Sequence, residues 1–575
     1  MSDYQSGSSG VFDREAASAI RFRWDGRDWL IVVLFMLFSF LYQDFRRANQ
    51  AEVINLTGDA ANLAAFAAAI DHPKKFASDT LLSDLGNFQF YQTIHIPILR
   101  WLADATGSYG NAFTSMLGVH YLLYLAGWYL FGRVLFQDRL LAALLACLLA
   151  VRLNTSFGEF WGLYRDALPR VTFSALLGYV FAAAIYWKHT PSAHKWIMAA
   201  CGALTYTHPV SAPVIACSLW AGFLVPALLE RRHVFLLRHG CVIGLAFVLP
   251  TIPFAMDYLS VYNASYQADP EAMVHLIQYR FNKDFLNPWP AYGALLFKFT
   301  TFGILPLAFL AGRTLWRRAD VAHRNNFRII LVWLIGMVLI TVVIPLIDTR
   351  LFQFMRGVRF LVPIQIIFIV WSLAFLDYRQ RVVGLHSVMQ RMTPGKAGSL
   401  SLVLVVLLLA MKWQGVHWWH KTPQEVVEKQ EMIDALRKLT HQDVRILPVG
   451  VDPLAIRYGA LRSVGHAWKD GGIFLQSNQR AALAWYDTEK MMHRFRQLNT
   501  HPQSDQDWEV QVRDLFECIL HAVHPDLLVV QKNDFPMFLA EVFRERQKIV
   551  WENQSYLLIR IGLSEIDTGC RLQKG

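Results

Sequence analysis

The run Trp29-Leu-Ile-Val-Val-Leu-Phe-Met-Leu-Phe-Ser-Phe-Leu-Tyr42 decides how the rest of the chain is read. Arg14, Arg21, Arg23 and Arg27 precede it, and Gln43-Asp44-Phe45-Arg46-Arg47 follows directly. No small-residue cleavage site comes after the apolar core, so the run reads as an uncleaved first membrane span and not as a signal peptide. The basic residues before it put the N-terminus in the cytoplasm. The Ser- and Gly-rich opening, Met1 to Gly10, reads as a flexible tail.

Working outward, apolar runs recur at roughly 112–131, 140–154, 171–187, 195–208, 210–229, 240–257, 296–312, 328–346, 360–376 and 399–412. With the first they make about eleven spans, although several fall short of the ~20 residues that a perpendicular helix needs. The weakest pair is 195–208 and 210–229, split only by His208-Pro209. Composition agrees: 54% of the 575 residues are hydrophobic, and 17% are charged. Average soluble domains carry about 25% charged residues. A disordered chain, a collagen and a disulfide-stapled secreted module are excluded. The expected fold is a mainly α-helical polytopic membrane protein with a small C-terminal α/β domain. Its expected parts are a cytoplasmic tail 1–28, a membrane domain 29–412 with a long first outer loop 45–111, and a periplasmic domain 413–575.

The net charge of +11 is mainly a topology signal. Starting inside, the short inner loops hold Arg133, Arg139, Lys188, Lys195, Arg231, Arg232, Arg238, Arg313, Arg317, Arg318, Arg324, Arg328, Arg379, Arg381, Arg391 and Lys396, sixteen in all. The short outer loops hold six: Arg165, Arg170, Arg280, Lys283, Arg350 and Arg356. The bias keeps one sign along the chain. With an odd number of spans, it places the C-terminal domain outside. No basic stripe interleaved with aromatics exists for nucleic acid. The long segments, about 45–111, about 258–295 and the tail, all fall on the outer face, where ordered loops carry binding and chemistry.

Cysteine and histidine add little. Cys147, Cys201, Cys217 and Cys241 lie in or beside spans, while Cys518 and Cys570 of the tail could pair in an oxidising compartment. No spacing matches a zinc site. His417-Trp-Trp-His420, with Trp413, reads as an interfacial aromatic belt rather than a ligand pair.

The outer face also collects polar residues. Leu56-Thr-Gly-Asp59-Ala-Ala-Asn62 opens an Ala-rich helix expected to be amphipathic and to lie on the bilayer. Asp59 either caps that helix or stands as a general base at the mouth of an outward-facing cavity. Glu159, Arg165, Asp166 and Arg170 occupy one outer loop, and His208 heads a turn. Arg280 and Lys283 lie in another loop, and Arg356 and Arg359 flank the tenth span. Each alone is an interfacial anchor; together they suit a lipid-linked phosphate. One carboxylate suffices to take the proton of an attacking hydroxyl, and preorganised cations stabilise a departing phosphate. A donor held in the bilayer needs no nucleotide motif, and neither G-x-G-x-x-G nor a P-loop is present.

Gly58-Asp59, Leu168-Pro-Arg170, His208-Pro209, Tyr279-Arg280, Arg356-Gly-Val-Arg359 and Trp468-Lys469 resemble a bacterial group within the GT-C class of integral-membrane glycosyltransferases. The resemblance covers most of the chain in layout. It implies a polyprenyl-phosphate-linked sugar donor, a glycan or glycolipid acceptor, and Asp59 as the residue that activates the acceptor or binds a metal. From their own chemistry, Arg280, Lys283, Arg356, Arg359 and His208 are the expected contacts of the donor phosphate. Glu159, Arg165, Asp166, Arg170, Trp468 and Lys469 are the expected substrate contacts. The sequence departs from the class pattern: Asn62-Leu63 stands where an aromatic is usual, and the loop has no Asp-Asp or Glu-x-Asp pair. That argues against an obligatory metal and leaves a divalent cation as an open cofactor. Two alternatives stay open, a polysaccharide polymerase or ligase and a transporter of lipid-linked glycans.

From about Thr422 the pattern turns soluble. Helices are expected at Pro423–Leu439, Asn478–Phe495, Glu509–Val523 and Pro536–Arg546, with strands at Val444–Val449, Leu527–Gln531, Lys548–Trp551 and Tyr556–Ile561. His466, Trp468, Lys469 and Asp470 sit in a Gly-flanked loop, readable as a surface turn or as a sugar contact with Trp468 stacked on the ring.

Overall fold

The structure is a computed structural model that describes residues 24–47, 52–56, 58–91, 93–154, 160–265, 269–281, 304–347, 360–375, 424–500 and 506–562. It is mostly helical, with a small sheet near the C-terminus. Two compact units divide the chain. One comprises Met1–Gln43, Leu117–Phe254 and Asp284–Trp418; the other comprises Asp44–Met116, Ala255–Lys283 and Trp419–Gly575.

The first unit holds the apolar helices. Among the described residues, four are long and apolar enough to cross a membrane: Gly26–Asp44, Pro169–Tyr186, His233–Ser260 and Val321–Ile340. Arg139–Ala150, Ser211–Val225 and Leu361–Leu373 are apolar but shorter. The sequence reading of about eleven spans is therefore matched only in part. The 399–412 run lies outside the described residues. The 112–131 run is broken at Met116, between the helices Tyr109–Ser115 and Leu117–Phe136. Leu117–Phe136 and Pro169–Tyr186 pack through small residues: a Cβ on Gly178 would lie 2.6 Å from the Gly127 carbonyl carbon. Close backbone approach of this kind is the usual device where no hydrophobic force separates helix from lipid. Trp128 adds a bond from its Nε1 to the Ser174 carbonyl at 3.1 Å. Arg133, counted among the loop charges, is in fact buried; its Nε donates to buried Asp28 at 2.7 Å, and Tyr129 donates to the same carboxylate oxygen at 2.6 Å.

The second unit is assembled from three stretches that are far apart in sequence. Its sheet has five strands, β1 (Arg445–Val449), β2 (Ser463–Val464), β3 (Leu527–Gln531), β4 (Ile549–Glu552) and β5 (Tyr556–Arg560), in the order β2-β1-β3-β5-β4. β1 runs parallel to β2 and β3, while β5 is antiparallel to β3 and β4. The middle strands read as continuous apolar runs because both faces are covered. Leu447, Val449, Leu528, Val530, Leu557 and Ile559 face one core with the helices Gln479–Thr500, Gln506–Val523 and Met537–Glu545. Ile446, Leu527, Val529, Tyr556 and Leu558 face the other, against Met432, Ile433 and Leu436 of Gln424–Leu439. The helices and strands expected in the tail are present, and the Gly-flanked loop turns out to open a further helix, Asp470–Ser477.

The Ala-rich helix Gly58–Asp71 corrects the expectation of an amphipathic surface helix. Every residue of 60–69 except Asn62 is buried. A run of small side chains lets neighbours close in from all sides, and here they are the helices His95–Thr106 and Tyr109–Ser115 and the π-turn Ile456–Ala460. Gly110 serves the same packing, since a Cβ there would run into the Val53 carbonyl.

Candidate functional site

Asp59 stands in the first turn of the Gly58–Asp71 helix, where unpaired backbone N–H groups favour a carboxylate. Its Oδ1 accepts from the Lys469 Nζ at 2.9 Å, across 410 residues of sequence. The two side chains remain 41% and 37% exposed, so the pair faces solvent. Gly58 makes room for it: a Cβ there would come within 2.7 Å of the Lys469 Cε.

A second cation adjoins the same loop. Arg280, in the last turn of the helix Pro270–Phe281, lays its guanidinium over the Trp468 ring, 4.6 Å from the centroid. Tyr279 meets Trp468, Tyr486 and His493 edge-on, with centroids 5.9, 5.0 and 6.2 Å away. Trp485 backs Trp468 at 5.6 Å and donates from Nε1 to the Ala467 carbonyl at 2.9 Å. Trp468 itself is 39% exposed, which leaves aromatic surface for a ligand.

The backbone presenting Trp468 and Lys469 is locked on both sides by buried charge. On the N-terminal side, the His466 Nε2 is 2.6 Å from Glu489, whose other oxygen accepts from Arg496. Burial alone pushes the Glu489 carboxyl upward, and the bond and charge of His466 with the charge of Arg496 outweigh it, holding the group below the usual carboxylate range. On the C-terminal side, Arg457, with no exposed surface, donates to Asp470 twice at 2.7 Å and to Asp79 twice at 2.8 Å. Burial works against its charge, but the two carboxylates overcome it and keep the guanidinium protonated.

Asp79 carries the segment Asp44–Met116 onto the tail. It also accepts from the backbone N–H groups of Leu81, Leu82 and Val464, at 2.9, 2.9 and 2.8 Å. Further ties run from Thr80 N to the Val464 carbonyl at 3.2 Å, from Ser463 Oγ to the Lys75 carbonyl at 3.0 Å, and from Leu56 N to the Tyr458 hydroxyl at 3.2 Å.

Four of the residues singled out in the sequence, Asp59, Arg280, Trp468 and Lys469, are thus brought together from three distant segments. His208, Arg165, Asp166 and Arg170 belong to the other unit. There the His208 carbonyl accepts from Ser211 N at 3.1 Å at the start of the helix Ser211–Leu229, Asp166 is buried, and Arg165 is exposed. Glu159, Lys283, Arg356 and Arg359 lie outside the described residues. Sequence reasoning missed Asp79, Arg457 and Glu489, which form no local motif. It also missed Tyr486, whose only signal was its place beside Trp485.

A divalent cation does not suit the donor set at Asp59, one carboxylate with an ammonium on it. Among the described residues no three His, Cys, Asp or Glu side chains converge.

No family model and no curated protein matches the chain. Among solved structures it is similar to the crystal structure of ArnT from Cupriavidus metallidurans bound to undecaprenyl phosphate. The identity is 12% and the TM-score 0.47, with 94% of this chain and 99% of that chain covered.

Proposed function

We propose that this protein is a membrane glycosyltransferase that moves a sugar from a polyprenyl-phosphate-linked donor to a glycan or glycolipid acceptor on the periplasmic face, in assembly of the cell surface. The observation that carries the reading is the meeting of Asp59, Lys469, Arg280 and Trp468. It sets one carboxylate, two cations and an exposed indole beside one another. In this reading the acceptor hydroxyl gives its proton to the Asp59 carboxylate as its oxygen bonds to the anomeric carbon. The bond from that carbon to the phosphate oxygen breaks with its electron pair, and the polyprenyl phosphate leaves. Arg280 and Lys469 offset the charge gathering on the leaving phosphate. Trp468 offers a flat apolar face to a sugar ring.

The composition of the second unit supports the location. Asp44–Met116, Ala255–Lys283 and the tail fold as one body, and these are nearly the stretches that the basic-residue count assigns to the outer side. Lys283, Arg356, Arg359 and His208 remain proposed phosphate contacts. Glu159, Arg165, Asp166 and Arg170 remain proposed substrate contacts.

Complementation tests the reading. In a strain lacking the protein, Asp59→Asn at wild-type membrane level is expected to leave the surface glycan as defective as in the deletion. Full restoration by Asp59→Asn overturns Asp59 as base and favours the polymerase reading.

A further inference from the structure

We infer that Asn62 is a specificity-determining residue of the proposed transfer: its amide reads a hydroxyl of an uncharged sugar ring, next to the hydroxyl that attacks beside Asp59. The inference rests on the proposed role of Asp59 and names the class of acceptor, a neutral sugar with two adjacent hydroxyls.

Position comes first. Asn62 follows Asp59 by three residues and Gly58 by four in the helix Gly58–Asp71. Residues at those spacings share one face, with Cβ atoms about 5–6 Å apart. On that face the Lys469 ammonium reaches Asp59 and its stem passes Gly58. Exposure falls off along the same stripe. The Asp59 side chain is 41% exposed and Asn62 is partly exposed, while Phe66, one turn further on, is buried with its ring stacked on Phe88 at 4.6 Å. The helix is thus open beside Asp59 for the depth of one turn, and it closes at Phe66.

Asn62 also carries an unmet need. Its Oδ1 is buried and accepts no hydrogen bond among the described residues. Buried polar atoms are normally paired, and an unpaired one is a cost to the fold. Every other residue from Ala60 to Ala69 is Ala, Leu or Phe, so an amide here is foreign to its surroundings. A ligand that bonds it accounts for its place.

The chemistry of that ligand follows from the amide. It holds an acceptor and a donor together, and a hydroxyl is able to meet either. An ammonium or a carboxylate of the ligand would be drawn against a stretch that has no charge from Ala60 to Ile70. A neutral ring with adjacent hydroxyls suits both residues. One hydroxyl gives its proton to Asp59 as its oxygen attacks, and its neighbour donates to the Asn62 Oδ1.

The test is transfer by the purified full-length chain in lipid nanodiscs, using two fractions from cells that lack the protein. One fraction holds the polyprenyl-phosphate sugars, and the other holds the remaining glycans and glycolipids. Consumption of the lipid-linked sugar is followed by mass spectrometry while each fraction is varied in turn. Asn62→Ala and Asn62→Leu are each expected to raise the apparent KM for the glycan fraction about tenfold and to leave that for the lipid-linked sugar unchanged. Their thermal midpoints should equal or exceed wild type, because each removes an unpaired buried atom. Tandem mass spectrometry of the product should show a receiving residue that is uncharged, with a hydroxyl next to the new linkage. A glycan KM that neither variant moves overturns the role of Asn62 alone. So does a midpoint lowered in both variants, which marks the amide as part of the fold. A receiving residue that bears a carboxylate or an amine overturns the acceptor class. A wild-type chain that consumes no lipid-linked sugar overturns the glycosyltransferase reading as well.

Discussion

Arg457 and Asp79, 378 residues apart, form a two-pronged ion pair inside the second unit, Nε to Oδ2 and Nη2 to Oδ1, both at 2.8 Å. Neither side chain has exposed surface. The pair clips the segment Asp44–Met116 to the tail, and Asp470 on the other side of Arg457 transmits that fixity to Lys469.

Breaking this clip is expected to be costly. Arg457→Met leaves Asp79 and Asp470 buried without their cation, and loss of one partner of a buried pair costs about 3–5 kcal/mol. Arg457→Lys is expected to rescue little, because an ammonium cannot serve both carboxylates in a planar fork. Thermal unfolding of the purified chain checks both, and a midpoint within a degree of wild type for Arg457→Met contradicts the assignment.

Glu489 gives the fold a pH dependence of known sign. Its carboxyl is held below the ordinary value in the folded state, so the unfolded state binds the proton more readily. The stability it contributes is complete above the unfolded value of about 4.3 and is lost as pH falls through it and below. Glu489→Gln is therefore expected to lower the thermal midpoint near pH 7 and to converge on wild type toward pH 3. A gap that widens on acidification contradicts this.

Gly178 is expected to tolerate no side chain. Its Cβ would meet the Gly127 backbone carbon at 2.6 Å and Trp128 N at 2.8 Å. These are backbone atoms that cannot step aside, and overpacking of this kind costs about 1–3 kcal/mol. Gly178→Ala should show a lower midpoint in detergent, whereas Gly107→Asn, at a helix end with positive φ and open space, should stay close to wild type.

Trp468 is expected to matter by its face and not by its size alone. Trp468→Phe keeps an aromatic plane under Arg280 and should retain most glycan output, while Trp468→Ala should lose several-fold, in line with about 1 kcal/mol for an exposed cation–π contact plus lost sugar stacking. Surface glycan measured at matched membrane levels decides it.

Much of the tail was legible in the sequence. Leu527-Leu-Val-Val-Gln531 is too apolar to be anything but a strand covered on both faces, and Gln424–Leu439 carries its apolar residues at helical spacing. The helix Asp470–Ser477 was hidden by Gly471-Gly472, which read as a turn. Gly471 in fact makes room for the Trp485 ring. Asp59 was visible as a helix cap or a base, and Lys469 as part of a Gly-flanked turn or a sugar contact. Their pairing was not, because a contact across 410 residues leaves no period or spacing to read. Asp79 was less visible still, since a lone carboxylate in a polar turn looks like any surface residue until Arg457 is buried on it.

The most direct measurement is the cellular pool of polyprenyl-phosphate sugars, quantified by mass spectrometry in wild-type, deletion and Asp59→Asn cells. One such lipid-linked sugar is expected to accumulate in the deletion and equally in Asp59→Asn. A pool unchanged by deletion of the protein contradicts transfer from a lipid-linked donor.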